Sequence, residues 1–357
     1  MIPRTMKAVL LKGHGGLEQL EYRDDVPVPT PAAGEVLVQV GAAAVNNTDI
    51  NTRIGWYSKS VATATADAVA QTANEATDGG WAGNPFVFPR IQGTDVCGRI
   101  VAVGAGVAEA RIGQRVIVDP VLRPADRSLA NVGYVGLERD GGFAEFATVP
   151  ASNASLIESA LTDVELASFP CAYGTAENLL TRANVVQGET VLVTGASGGV
   201  GSAVVQLARL RGARVIAVTK GDKARDVLAL GAQQTVERSA NLVHALGRDS
   251  VDVVVDVVGG DAFTGLLDVL KRGGRYAVAG AIAGPVVPLD LRTLYLKDLS
   301  LLGCTVTTPA VFARLVELIQ QGALQPVVRA VYPLADIALA QSDFLGKAQT
   351  GKIVLVP

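Results

Sequence analysis

The feature that most constrains this chain is a strand, a glycine loop and a helix in immediate succession. Thr190–Val193 is a short β-branched run, followed by Thr194, Gly195, Ala196, Ser197, Gly198, Gly199, Val200 and Gly201 and then by an amphipathic helix to Arg211. A strand that ends in a tight turn brings its backbone close to whatever binds there, and only glycine leaves room for a pyrophosphate at that distance. The helix that follows offers unpaired N–H groups and the positive end of its dipole to an anion. Ala196 takes the place of the first glycine of the G-x-G-x-x-G pattern. The next strand, Arg214–Val218, supplies the β-α-β context without which glycines alone mean little. The segment implies a dinucleotide site, and hence a nicotinamide cofactor.

The alternation continues. Strands are expected at Val251–Asp256, Arg275–Ala279 and Ser300–Val306, and helices at Asp222–Leu230, Ala240–Leu246 and Asp261–Leu270. Valine-rich strands alternating with helices read as a parallel sheet covered on both faces, a doubly wound Rossmann domain. Ahead of it lie short strands bounded by Gly, Pro and Asp: Met6–Leu11, Glu35–Val40, Gly98–Val103, Arg115–Val118 and Phe143–Val149. These read as a partly closed β-barrel. Thr162, with Glu165 three residues on, has the signature of a capping box where the pattern changes. The tail gives a helix (Ala310–Gln320), a strand (Val327–Tyr332), a short helix (Leu334–Leu345) and a last strand (Lys352–Val356), and is expected to return to the barrel. The fold class is therefore α/β, with residues 1–160 and 310–357 in a barrel-based domain and 161–309 in the dinucleotide domain. The length of 357 residues agrees with two domains, at roughly 150 residues per domain. The Ala- and Thr-rich segment Ser58–Thr77 reads either as a surface helix or insertion, or as a lid over the substrate cleft.

Charge and composition exclude several classes of partner. A net charge of −3 gives no basic footprint for nucleic acid or an anionic membrane surface. Three well-separated cysteines, Cys97, Cys171 and Cys304, are no disulfide framework and fit a reducing cytoplasm. No signal peptide is read at the N-terminus, and the apolar runs are too short to span a bilayer.

The tip of the second strand bears on the choice between NADH and NADPH. A carboxylate there would hold the ribose 2′-hydroxyl. The strand instead ends in Thr219 and Lys220, with Lys223 following; a hydroxyl and two lysines suit a 2′-phosphate. Asp222 is read as the N-cap of the next helix. The lysines also have the simpler reading of solvated surface charge.

At this point the chain resembles a medium-chain dehydrogenase/reductase, of the zinc-independent, quinone oxidoreductase-like kind. The resemblance rests on Gly93–Gly98 with Val101–Val107, on Asp140–Phe146, on Thr194–Gly201, on Asp256–Gly260, on Lys271–Arg275 and on Gly351–Leu355. It implies a GroES-like catalytic domain built from both chain ends, a Rossmann domain between them, and an active site in the cleft. It also implies a homodimer through the strand near Ser300–Val306. Zinc alcohol dehydrogenases of this family hold a catalytic metal with Cys, His and Cys. Here Asn46 stands at the first of these positions, Thr94 at the second, and Cys171 at the last, while His14 and His244 fall at none of them. One thiol does not make a tetrahedral zinc site. The structural-zinc lobe is replaced by Val121–Val132, which has no cysteine. Yet Tyr134–Gly142 is closer in style to the zinc enzymes, and Thr48 and Asp49 match positions of their proton relay and of the carboxylate behind the metal ligands.

Without a metal, delivering hydride to an electron-poor double bond or a quinone is easier than activating an alcohol, because hydrogen-bond donors suffice for the developing oxyanion. The expected activity is NADPH-dependent reduction of a small quinone or α,β-unsaturated carbonyl. The alternatives are a zinc-free carbonyl reductase or alcohol dehydrogenase, and a weakly catalytic NADPH-binding protein. Asn46, Thr48 and Tyr57 are the candidate donors in the cleft. Asn46 also reads as a loop-stabilising amide, Thr48 as a helix cap and Tyr57 as a packing residue. For the cofactor, the resemblance assigns the pyrophosphate to Ser197, Gly198, Gly199 and Val200, and the 2′-phosphate to Thr219, Lys220, Lys223 and Arg238. Val257 and Val258 are assigned to the ribose and adenine, Gly280, Ala281, Ile282, Gly303 and Cys304 to the nicotinamide side, and Thr175 to the cofactor site as well.

Overall fold

A computed structural model of the chain describes residues 1–71, 79–80, 85–124, 129–348 and 350–357. Among them the dinucleotide half is a six-stranded parallel sheet in the spatial order Gln234–Glu237, Arg214–Thr219, Thr190–Val193, Val251–Asp256, Leu270–Val278, Ser300–Gly303. Chain order reverses between Thr190–Val193 and Val251–Asp256. The crevice outside the carboxyl ends of those two strands is where such sheets bind ligands. Both strands are fully buried along most of their length, as covered parallel strands must be.

The other half is an antiparallel assembly. Its largest sheet runs Ala154–Leu156, Arg115–Val118, Cys97–Val103, Glu35–Ala44, Lys352–Val356, Val328–Pro333, with Phe146–Pro150 also paired to Glu35–Ala44. The tail thus joins the first part of the chain in one sheet. Lys352–Val356 pairs antiparallel to Glu35–Ala44 through Val354 with Ala44 and Leu355 with Ala43. That register carries Lys352 past the end of the strand, beside Val45 and Asn46. One continuous apolar cluster runs from Ala42, Cys97 and Val354 through Phe169 and Tyr173 to Val191 and Val204. A shared, close-packed core fixes the walls of the cleft relative to each other.

Several expectations needed correction. Strand Leu20–Pro27, paired to Thr5–Leu11, was not foreseen, because its charged stretch Tyr22–Asp25 faces solvent and breaks the alternation. Gln234–Glu237 was also missed; it is a polar edge strand. Helix Pro170–Arg182, rich in small and polar residues, was not anticipated although most of it is buried. The strand expected from Phe143 begins at Phe146, and the one expected to reach Val306 ends at Gly303. Asp222 is not the N-cap: it lies inside the turn Gly221–Lys223, which Lys220 precedes.

The described part of Ser58–Thr77 contains helix Thr65–Gln71, and the segment from residue 72 on lies outside the described residues. This helix does not float in solvent. Ala68 is buried with Ile54 and Trp56, Thr65 Oγ1 donates to Asn51 Oδ1 at 3.1 Å, and the Thr65 N–H donates to the Ile282 carbonyl at 3.0 Å. Among the described residues, no helix is long and apolar enough to cross a membrane.

Candidate active site

The crevice between the two central strands is shaped by backbone. Gly195 has φ +57°, the left-handed region that favours glycine. A Cβ on Gly201 would lie 2.2 Å from the Gly195 carbonyl oxygen, so the loop folds directly onto the first turn of helix Gly199–Leu210. Facing it is the buried Asp256. Its carboxylate accepts from Thr194 Oγ1 (2.5 Å), from the Tyr276 hydroxyl (2.5 Å) and from the Val258 N–H (2.8 Å). The Val257 N–H donates to Thr194 Oγ1 at 3.1 Å, so both strand ends are tied to one carboxylate. The side chains nearest a Cβ on Gly195 are Val258 and Val257, which places them across from the loop that carries Ser197, Gly198 and Val200. Gly280 is packed against the Val257 backbone: a Cβ there would sit 3.0 Å from its carbonyl oxygen.

At the tip of the second strand Thr219 is buried, and its Oγ1 has no partner among the described residues. Around it stands a group of cations. Lys223 Nζ donates to the Lys347 carbonyl at 2.5 Å. Burial first, and then the charges of Lys220, Arg329 and Arg238, lower the Lys223 pKa against the opposing effect of Asp222. Burial, then Lys223 and Arg238, lower that of Lys347. Mutual repulsion of this kind is relieved by an anion. The crevice, the orphaned hydroxyl and the cations together fit an anionic dinucleotide. Arg329 and Lys347 were missed in the sequence because they lie on the returning tail, where nothing local marks them.

The cleft is built from side chains. Asn46 precedes helix Asn47–Arg53, and its N–H donates to Asp49 Oδ2 at 2.7 Å, so Asn46 rather than Thr48 stands at the cap position. The Asn46 amide is engaged at both ends: Nδ2 donates to Asp95 Oδ2 at 2.9 Å, and Oδ1 accepts from Lys352 Nζ at 2.5 Å. Lys352 Nζ also donates to Asp95 Oδ2 (2.9 Å) and to the Val45 carbonyl (3.1 Å). Asp95 Oδ1 in turn accepts the Cys171 N–H at 2.6 Å. Asp49 is fully buried; burial, the largest influence, pushes its carboxyl up to about 7.

This arrangement does not fit a catalytic zinc. An ammonium with an acceptor for each of its three protons sits among Asn46 and Asp95, and a dication there would be repelled. Burial, then Asp95, pushes the Cys171 thiol up to about 12, so without a metal it stays a neutral thiol. Among the described residues no group of three or more His, Cys, Asp or Glu is placed to hold a metal ion.

A cavity opens beside this cluster, lined by Thr48, Thr94, Tyr134, Cys171, Thr175 and Cys304, among others. Thr48, Thr175 and Cys304 of the expected residues meet here, together with Ala279, the neighbour of Gly280. Asn46 is not among the lining residues. Tyr57 lies behind Thr48, donating to Thr48 Oγ1 at 3.2 Å, and burial raises its pKa. Gly303 lies on the edge strand opposite Val278. Ala281 packs near Ile54 and Trp56, and the Ile282 carbonyl is bound by Thr65. Lys352 and Thr94 had been noted only as part of the closing motif and as a lost ligand position.

Comparisons with known proteins agree with this architecture. Residues 32–159 match the model of the alcohol dehydrogenase GroES-like domain, and residues 199–321 that of the zinc-binding dehydrogenase. The chain is 31% identical to acryloyl-coenzyme A reductase of Metallosphaera sedula, over 98% of this chain and 99% of that protein. It is 28% identical to quinone oxidoreductase of Mus musculus, over 99% of this chain and 98% of the relative. The solved structure of a putative alcohol dehydrogenase from Sinorhizobium meliloti 1021 superposes with a TM-score of 0.90 at 50% identity, covering 100% of this chain and 98% of that one. With a GroES-like half, a Rossmann half and relatives along its whole length, the chain belongs to the medium-chain dehydrogenase/reductase family and is an oxidoreductase.

Proposed function

We propose that this protein is an NADPH-dependent reductase of quinones or α,β-unsaturated carbonyls that works without zinc. The observation that carries the reading is Lys352: a buried ammonium bound to Asp95 and to Asn46, the latter at a position the family's zinc enzymes give to a metal ligand. The names of the Metallosphaera and mouse relatives support the acceptor class.

When bound, the reduced nicotinamide supplies a hydride, two electrons and one proton, to the β-carbon of the acceptor or to the quinone. The negative charge then collects on the acceptor oxygen, and solvent returns the proton that completes the saturated carbonyl or the hydroquinone. The chain's own part is to place and stabilise. Thr48, backed by the Tyr57 hydroxyl, offers a donor to that oxygen. Thr175 and Cys304 wall the cavity. The pyrophosphate rests on the N–H groups of Ser197, Gly199 and Val200, while that of Gly198 closes the loop onto the Gly195 carbonyl. A 2′-phosphate is met by Thr219, Lys220, Lys223 and Arg238, joined by Lys347 from the tail, while Arg329 is ion-paired with Asp343 and adds only its charge near Lys223. Asn46 acts as a positioning residue that carries Lys352 and Asp95.

The test is oxidation of NADPH by the purified protein with quinones, enals, enones and saturated ketones. Turnover confined to the first three is expected. Turnover of ketones alone would support the second reading, a zinc-free alcohol dehydrogenase or carbonyl reductase; the Sinorhizobium structure is named a putative alcohol dehydrogenase. The exposed edge strand Ser300–Gly303, with Leu301, Leu291, Tyr295 and Leu296 exposed nearby, supports a homodimer. Light scattering at twice the chain mass of 36.8 kDa is the expected result, and a monomer would refute it.

A further inference from the structure

Thr94 stands in a tightly fixed stretch of the cleft, and its hydroxyl has nothing to bond. On one side, Gly93 has φ +100° and donates its N–H to Asp49 Oδ1 at 3.3 Å. A Cβ on Gly93 would lie 2.6 Å from the Phe143 ring, and a Cβ on Gly141 would lie 2.3 Å from the Gly93 carbonyl oxygen. On the other side, Asp95 is held by Lys352 Nζ (2.9 Å), Asn46 Nδ2 (2.9 Å) and the Cys171 N–H (2.6 Å). Thr94, between them, is 2% exposed. Its Oγ1 is buried and has no hydrogen-bond partner among the described residues, and the residue is part of the wall of the cavity that Thr48 and Cys304 also line.

A buried hydroxyl without a partner is destabilising, and valine would fill the same space without that cost. Such groups call for an explanation in function or an absent ligand. A donor that is rigidly placed, dry and unpaired is what stabilises charge as it develops, since it needs no reorganisation. Thr48 is arranged in the same sense: its Oγ1 accepts from Tyr57, which orients its own proton away from that bond.

We propose that Thr94 donates a hydrogen bond to the carbonyl or quinone oxygen of the acceptor, so that Thr94 and Thr48 together hold the oxygen on which charge develops. This rests on the reductase reading and names the group that reads the acceptor's oxygen. It also gives the lost ligand position a use: where a zinc enzyme polarises oxygen with a metal, this chain places a hydroxyl.

The experiment compares wild type, Thr94→Val and Thr94→Ser in turnover of an enone and a quinone, in NADPH affinity and in thermal melting. Thr94→Val is expected to lose on the order of 100-fold in kcat/KM, mostly in kcat. Its NADPH affinity should be unchanged and its melting temperature no lower than that of wild type. Thr94→Ser should keep activity within severalfold. If wild type turns over and a stable Thr94→Val stays within about twofold of it, the Thr94 assignment is overturned and the reductase reading stands. If both variants lose activity together with melting temperature, the hydroxyl is structural and the assignment is overturned. If wild type reduces none of the acceptors, the reductase reading fails first and takes this assignment with it.

Discussion

The dinucleotide crevice and the substrate cleft lie side by side and are made by opposite means. The crevice is made of backbone from one contiguous run: Gly195 to Gly201 turns onto its own helix, and a single carboxylate, Asp256, ties the facing strand end in place. The polar cluster beside the cleft is assembled from four distant stretches: the side chains of Asn46, Asp95 and Lys352 and the N–H of Cys171. A backbone-built site is insensitive to most side chains and intolerant of a single Cβ. A side-chain-built site around a buried ion pair depends on every charge in it. The cleft should therefore fail by unfolding, and the crevice by losing its ligand.

The largest effect should come from breaking the cleft's ion pair. Lys352→Met leaves Asp95, which is fully buried, without its cation. It should destabilise the protein by about 3–5 kcal/mol in urea unfolding. The double variant Lys352→Met with Asp95→Asn should recover a substantial part of that loss, because the orphaned charge goes with its partner. Additive costs of the two substitutions would show that the pair is not coupled.

Next comes the pH dependence of Asp49. Its carboxyl stands at about 7 in the folded protein and near about 3.9 when unfolded. The folded state therefore keeps a proton that the unfolded chain has lost. The stabilising contribution is complete below about pH 4 and is lost as pH rises to the folded pKa. Wild-type stability relative to Asp49→Asn should fall by about 1.4 kcal/mol per pH unit across that window and level off above it. A difference that is flat with pH would show that Asp49 is ionised in the fold.

Two smaller effects belong to the crevice. Gly201→Ala puts a Cβ against the Gly195 carbonyl oxygen. Overpacking of about 1–3 kcal/mol, if borne by the cofactor-bound form, weakens NADPH binding about 5- to 150-fold, read by fluorescence titration. Lys223→Ala should weaken NADPH about tenfold and leave NADH within about twofold. Equal loss for both cofactors would place Lys223 outside the 2′-phosphate site.

The same contrast explains what was legible in the sequence. The glycine loop and the alternating Val-rich strands announce themselves because all their determinants are neighbours in the chain. The polar edge strand Gln234–Glu237 and the charged strand Leu20–Pro27 do not, since a solvent-facing strand carries little hydrophobic signal. In the cleft, Asn46, Thr48 and Thr94 drew attention through their alignment with metal-ligand and relay positions. Lys352 did not, although it is the cation bound to both Asn46 and Asp95. It lies 306 residues from Asn46 and 257 from Asp95, and only the pairing of the last strand with Glu35–Ala44 brings them together. Lys347 and Arg329 were hidden for the same reason. The tail's return was expected; which of its side chains would arrive at which site was not readable without the register.

The central claim is that a buried ammonium and hydroxyls have taken over the place of a metal. Its most direct test is NADPH-dependent reduction of an enone or quinone by protein dialysed against a strong chelator, with zinc measured in the same sample. The account predicts unchanged kcat/KM at a small fraction of one zinc per chain. Activity that disappears with the chelator and returns in proportion to added zinc would contradict it.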